Sequence, residues 1–507
     1  MGASVESHDF APIPPKPAAR RSRMPADSWL RRPATALLAL MLAGAALRFA
    51  TLNVQSIWLD ESATMILVHR SFQGMLSNLT ASESAPPLYY ALVWVWTKAF
   101  GAGPLGFRSF SALVGTITIP VMYAAGRRIS PRAGLWAAAL TVVNPAMYYF
   151  SQEARAYGLL VLFAAAALVL WQRALAAPDR RSLALWAAMS SLALLTHYFA
   201  VFLFVPEAWI LLRRLGARRA AAPVGAVLAV GAALLPLALA QQADGKVSWI
   251  EAESLASRFA ESVKLMAVGP YAPLEILAGL LIVLLAAGAV ALGWRRTEGR
   301  ERAAVRDVAV VAVVSIGLPL ALAAIGLVDV YDGRNVIASW VPLAVLVAAG
   351  LGVTRAGRAG PLLGAGICAI SAAVIAAINL TPAYQRSDWR GIARALPGAP
   401  AGGEVVVGEQ FASMPLSIYL GPLREAHAAV STRRIEFVAL PVRRAARSPL
   451  PPVVPTSPPR GFRWAGVQRT SAYAISSFSA PRPTLVSVKR LRREQGEAKA
   501  EVLILRR

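Results

Sequence analysis

Three short stretches carry residue types able to do acid–base and anion-binding chemistry. In WLDES (58–62) two adjacent carboxylates, Asp60 and Glu61, follow a Trp of the kind that settles at a membrane interface and precede an apolar helical run. A carboxylate placed there can take the proton of an attacking hydroxyl, and the same position suits a helix N-cap, with Glu61 favoured by the helix dipole. In SESAPPLYYALVWVW (82–96) tandem prolines give a rigid turn into a short aromatic helix, with Tyr89 near its start. In NPAMYYFSQEARAYG (144–158), Glu153, Arg155 and Tyr157 lie between two apolar runs, at a depth where a cation can hold a lipid phosphate. A local Glu153–Arg155 pair in an ordinary turn is the alternative. Arg108, Lys246 and Arg334 add cations on the same face, and each also suits an interfacial anchor. His197, in THYF at the end of a run, is either a ligand-facing group or a hydrogen-bonded structural histidine. Glu207 and Glu275 are acids in or near apolar runs. No phosphate-cradling glycine loop, H-E-x-x-H or nucleophile elbow is present.

The elements that must position these groups are membrane helices. The chain has 507 residues, 56% of them hydrophobic and only 16% charged, with a net charge of +25. A soluble basic protein needs a far more charged surface, which excludes a soluble nucleic-acid binder. Its one cysteine, Cys368, sits in an apolar run, so there is no intramolecular disulfide and no cysteine-based metal site. Apolar runs at 33–52, 107–126, 133–150, 156–172, 182–196, 198–214, 221–240, 272–293, 305–326, 335–353 and 360–379 predict about eleven crossings. The segment 87–100 is too short to span and reads as an interfacial helix in the first outer loop. Basic residues decide this point. With 87–100 not crossing, the N-terminal tail and the arginine clusters near 127–132, 173–181, 213–219, 295–306 and 355–358 share one side, as the positive-inside rule requires. The candidate residues then fall on the extracytoplasmic face. Residues 1–32 read as a disordered cytoplasmic tail, 33–379 as the membrane module, and 380–507 as an extracytoplasmic α/β domain. That domain has strand-like runs at 404–409, 434–441, 484–491 and 501–507, a helix near 388–396 and a proline-rich loop at 449–459.

Taken in order, WLDE in the first outer loop, PPLYY, the arginine of GFRSFSALVG, GRR at the far end of that run and NP…SQEARAY resemble the polytopic GT-C glycosyltransferases. Within them the sequence is most similar to glycosyltransferase family 39, the protein O-mannosyltransferases and the lipid A aminoarabinose transferases. The resemblance spans roughly residues 33–380, and DWRGIARAL beyond it resembles bacterial members with an outer soluble domain. It implies transfer of a sugar, with inversion, from a polyprenyl-phosphate carrier to a glycan, lipid or protein acceptor on the outer face of a bacterial-type plasma membrane. Asp60 and Glu61 are then the catalytic acidic pair, with Asp60 as the base, and Glu153, Arg155, Tyr157, Arg108, His197, Lys246, Arg334 and Tyr89 are substrate-binding candidates. Two positions depart from the family pattern: Ala85 precedes the tandem prolines where relatives commonly carry His or Lys, and the late Arg-Tyr pattern reads Arg334-Asn335. No nucleotide donor is needed and no cofactor is assigned; a divalent cation is left open. The competing readings are a lipid-linked sugar transporter or flippase and a non-catalytic scaffold that binds envelope glycans.

Overall fold

The computed structural model describes residues 26–245, 250–396, 403–441 and 450–505, with side chains from residue 33 onward. The opening apolar run forms α1 (Ala26–Ala50), so the last residues of the expected tail are helical and the rest of it lies outside the described residues. The loop that follows is itself helical, with α2 (Leu59–Val68), α3 (Phe72–Ser82) and α4 (Leu88–Phe100). The bundle continues with α5 (Pro104–Arg127), α6 (Pro131–Val143), α7 (Pro145–Phe150), α8 (Tyr157–Ala176), α9 (Arg180–Thr196), α10 (Val201–Leu215) and α11 (Ala217–Ala243). After α12 (Leu255–Val268) come α13 (Glu275–Arg296), α14 (Gly299–Ala324), α15 (Trp340–Leu351) and α16 (Ala359–Leu380).

Each expected apolar run coincides with one of these helices or with a pair of them. Seven are long and apolar enough to cross a membrane by themselves: Pro33–Ala50 within α1, and α5, α8, α11, α13, α14 and α16. The run at 133–150 is broken at Asn144-Pro145. Pro145 cannot continue α6, and the Asn144 side chain accepts from the Met147 amide at 3.0 Å and so caps α7. α4 has 13 residues, fewer than a helix needs to span a bilayer by itself. It buries Tyr89, Tyr90, Val93 and Thr97 and exposes Leu92, Val95 and Phe100. The indole N–H of Trp94 donates to the Arg70 carbonyl (3.0 Å) and that of Trp96 to the Gly106 carbonyl (3.1 Å), so α4 ties the turn after α2 to the first turn of α5.

Contacts between loops fix which ones share a face. Gln241 donates to the Ala85 carbonyl at 3.1 Å and Arg334 meets Asp60, which brings together the loops after α1, α11 and α14. On the opposite face a small cavity is lined by Ile129–Arg132, Thr297, Glu301 and Gly352–Arg355, the turns after α5, α13 and α15. This is the alternation expected when α4 lies in the interface.

Beyond α16 the chain forms α17 (Trp389–Ala395) and a six-stranded sheet built from β1 (Glu404–Gly408), β2 (Arg424–Glu425), β3 (Ala429–Ala439), β4 (Arg463–Arg469), β5 (Ala474–Ser487) and β6 (Glu501–Leu505). The order is β2-β6-β1-β3-β5-β4, with β1 parallel to β3 and the other pairings antiparallel. β1 is buried along its whole length, as its unbroken Val405–Val407 run demands of a central strand. α18 (Ser413–Leu420) and α19 (Val488–Gln495) complete the domain. The stretch 484–491, expected as one strand, is the end of β5 and the start of α19.

The domain is fixed to α2, the helix that carries Asp60. The Ile57 amide donates to the Tyr419 hydroxyl (2.8 Å) and the Ser56 hydroxyl to Asp388 (2.6 Å), while Arg390 donates to the Asn53 carbonyl (2.9 Å).

Candidate active site

Asp60 sits in the first turn of α2, and the residue at the cap position is Trp58, which makes no side-chain cap bond. The Asp60 carboxylate therefore does not cap the helix. It faces a cavity of about 1020 Å³ and accepts from Arg334 Nη1 through Oδ2 at 2.9 Å. Both side chains are about a quarter exposed, 25% for Asp60 and 27% for Arg334.

Arg334 reaches Asp60 from a braced loop. Its amide donates to Asp332 Oδ1 at 2.9 Å, and Asp329 takes Arg258 of α12 in a two-nitrogen fork at 2.6 and 3.0 Å. Gly333 packs closely on α12: a Cβ there would meet Leu265 Cδ2 at 2.9 Å and Ser262 Cα at 3.0 Å, so a side chain would push α12 or the loop aside. Burial opposes the charge on Arg334, but Tyr157, Asp60 and Asp332 outweigh it and hold the guanidinium firmly protonated.

Arg155 lines the same cavity, already occupied by an acid that the sequence reading did not assign. Its Nη1 lies 2.8 and 2.7 Å from the two Glu83 oxygens and 3.2 Å from Thr64 Oγ1. Tyr157 and His197 also line the wall, their rings 5.7 Å apart. Burial, with Arg155 nearby, pushes the His197 imidazole down to about 3, so it stays neutral. Its Nδ1 accepts from the Phe199 amide at 3.4 Å.

Glu61, adjacent in sequence, faces away from the cavity. It is fully buried, and its oxygens take Arg108 Nε (2.7 Å), Arg108 Nη2 (2.6 Å), Arg386 Nη1 (3.1 Å) and the Ala154 amide (3.0 Å). Burial pushes its pKa up, but Arg108 and Arg386 more than offset this and leave it below the usual carboxylate range. Arg108 spends its remaining donors on the carbonyls of Leu52, Gln55 and Ser56, at 3.0, 2.7 and 2.8 Å. This pair orients α2 and does not touch the cavity.

Glu153 is also buried behind the wall, and neither of its oxygens has a hydrogen-bond partner among the described residues. Burial pushes it up to about 7, with Glu61 and Asp60 adding to the rise and Arg386 opposing it. Tyr89 is buried against Tyr90 and Phe110, and it is Tyr90 that lines the cavity. Lys246 lies outside the described residues. Sequence reasoning did not assign Glu83, Tyr90, Asp332 or Arg386 to the site, nor Phe411 and Met414, which the C-terminal domain adds to the cavity wall. An arginine just past the last span was the one signal for Arg386.

The cavity is polar at one end and apolar along its flank. Val201, Phe202 and Val205 of α10, Ala238 of α11 and Leu318 and Leu322 of α14 form that flank, and α10 packs against both neighbours. Val201 and Val205 are more than a third exposed, so the flank opens at the bundle surface. Among the described residues no group of three or more His, Cys, Asp or Glu is arranged to hold a metal ion. The cavity carboxylates are instead met by arginines.

Residues 84–240 match the sequence model of the family described as dolichyl-phosphate-mannose-protein mannosyltransferase. None of the curated protein sequences matches the chain. Among solved structures it is similar to ArnT from Cupriavidus metallidurans bound to undecaprenyl phosphate, with a TM-score of 0.52 at 12% identity over 89% of this chain and 98% of that one. The apo state of the same protein gives 0.51 at 13% identity with the same coverage. The Archaeoglobus fulgidus oligosaccharyltransferase tethered to an acceptor peptide aligns at 0.48 and 10% identity, over 78% of this chain and 64% of that one. The chain thus shares the fold of ArnT, a polytopic helical bundle, and here that bundle carries a C-terminal six-stranded sheet domain.

Proposed function

We propose that the protein is a membrane glycosyltransferase that moves a sugar from a polyprenyl-phosphate carrier to an acceptor hydroxyl on the extracytoplasmic face. The observation that carries this reading is one continuous cavity with a lipid-facing apolar flank on α10, α11 and α14 and a polar head holding Asp60, Arg155 and Arg334. A polyprenyl tail fits the flank, and its phosphate then meets the arginines. The ArnT structure with undecaprenyl phosphate supports this assignment of the ligand class.

In the proposed reaction Asp60 takes the acceptor's proton as its oxygen forms a bond to the anomeric carbon. The bond from that carbon to the phosphate oxygen breaks, and its electron pair leaves on the phosphate, where an arginine offsets the growing charge. Attack from the side opposite the phosphate inverts the anomeric centre. His197, neutral and buried at the wall, serves as a hydrogen-bonding group, while Glu61 and Arg108 position α2.

The test is release of free undecaprenyl phosphate by purified protein supplied with undecaprenyl-phosphate-linked hexoses and pentoses, with and without envelope extracts as acceptor. Acceptor-dependent release identifies a transferase and its sugar. A flippase moves the intact donor between leaflets and a scaffold leaves it untouched, and either result overturns the reading.

A further inference from the structure

The cavity holds an arrangement that sugar transfer alone does not call for: the proposed base is already bound to a cation. Asp60 Oδ2 accepts from Arg334 Nη1 at 2.9 Å, so the carboxylate that would take an acceptor's proton is already engaged. The other cavity cation, Arg155, is held by both oxygens of a buried Glu83, whose side chain is 3% exposed. Of the two arginines, Arg334 has the weaker hold. Its ion pairs, with Asp60 through Nη1 (2.9 Å) and with Asp332 through Nε (3.4 Å), are each about a quarter exposed, in the range where such pairs contribute little, whereas dismantling the buried Arg155–Glu83 pair would strand a charge.

The loop under Arg334 is braced, and its guanidinium lines the cavity between Asp60 and Asp332. The Arg258–Asp329 fork and the close contact of Gly333 with α12 hold the backbone, and the guanidinium, about a quarter exposed, reaches the cavity wall beside Asp60. A phosphate entering along the apolar flank offers a guanidinium more acceptor oxygens and more charge than one carboxylate oxygen does.

We infer that Arg334 is an exchangeable partner, pairing with Asp60 in the empty protein and with the donor's phosphate in the loaded one, so that the base is released only when the donor is in place. This rests on the lipid-phosphate reading of the cavity and goes beyond it. It makes binding ordered, donor before acceptor, and keeps the base occupied while there is nothing to attack. No bond is made or broken in the exchange; one ion pair replaces another.

The experiment measures undecaprenyl phosphate binding to the full chain in nanodiscs for wild type, Asp60→Asn, Arg334→Gln and the double variant. Removing the competing carboxylate should tighten binding in Asp60→Asn by up to about fivefold, the equivalent of a part-exposed ion pair. The gain should vanish in the Arg334→Gln background. Relief of plain charge repulsion between Asp60 and the phosphate would persist without Arg334, so equal tightening in both backgrounds overturns the exchange, as does unchanged or weaker binding in Asp60→Asn. If wild type binds no undecaprenyl phosphate, the lipid-donor reading itself fails. A measurement on wild type needs no variant to fold: carbodiimide labelling of Asp60, read by mass spectrometry, should rise when undecaprenyl phosphate is added. Constant or falling labelling counts against the exchange.

Discussion

Asp60→Asn separates chemistry from architecture because the structure gives the carboxylate so little structural work. It makes no cap bond, since Trp58 occupies the cap position of α2 without a side-chain partner. What the substitution removes is the Arg334 pair, 25% and 27% exposed, and a favourable charge in the first turn. The first is worth about 0.2–1 kcal/mol and the second about 0.3–1 kcal/mol, so stability should fall by roughly 2 kcal/mol at most. Loss of general-base assistance costs a factor of about 10² to 10⁴ in rate, which is about 3–5 kcal/mol of barrier. Transfer should therefore collapse while the protein still folds. Asp60→Ala should match Asp60→Asn in stability to within roughly 0.5 kcal/mol, because there is no cap for Asn to preserve. The assay pairs undecaprenyl phosphate release with thermal unfolding of the same preparations. Transfer within tenfold of wild type in a folded Asp60→Asn protein would refute the assignment and move the search for the base to another cavity group.

Glu61→Gln should behave in the opposite way, costing about 3–5 kcal/mol of stability by leaving buried Arg108 and Arg386 without their shared carboxylate; an unfolding midpoint equal to wild type would show that the buried cluster does not hold α2. Glu153 carries a raised pKa of about 7, so between about 4.5 and 7 the folded chain holds a proton that the unfolded chain has lost. Its contribution to stability falls as pH rises through that window and levels off above it, by roughly 3 kcal/mol in all. Glu153→Gln should consequently gain on wild type in unfolding measurements at pH 8 relative to pH 5, and a pH-independent difference would refute this. For topology, single cysteines placed at Ser130, Ala217 and Glu298 in a Cys368→Ser background should react only from the cytoplasm and one at Leu255 only from outside; the reverse pattern would mean that α4 crosses.

The membrane module was legible in the sequence because apolar length is a one-dimensional signal that survives without any knowledge of packing. The same holds for α4, whose thirteen residues are too few to span. What sequence could not supply was the pairing of charges. Asp60 and Arg334 are 274 positions apart, and no local pattern distinguishes their contact from the burial of Glu61 next door. Adjacent residues in a helix point about 100° apart, which turns the WLDE pair into one cavity acid and one buried anchor. For Arg155 the sequence offers Glu153, two positions away, as the alternative to a lipid phosphate, whereas its partner Glu83 comes from the turn before α4. In the C-terminal domain, Arg463–Arg469 escaped notice because β4 is an edge strand exposed on both faces and lacks the apolar alternation of a half-buried strand.

Glu61 also has a meaning for how such proteins change over time. Its carboxylate joins α5 through Arg108, the turn before α8 through the Ala154 amide, and the segment leading into the sheet domain through Arg386. A domain attached only by a tether can be lost, duplicated or exchanged without disturbing the helices beneath it. Here the attachment passes through a charge balance at the root of the helix that bears Asp60, so a transplanted domain lacking an arginine at position 386 would leave that balance unmet and tilt the base. Grafts made at the end of α16 should fail, and grafts that keep residues 381–390 with the membrane module should preserve the site. The natural seam of this protein lies inside its outer domain, not at the membrane surface.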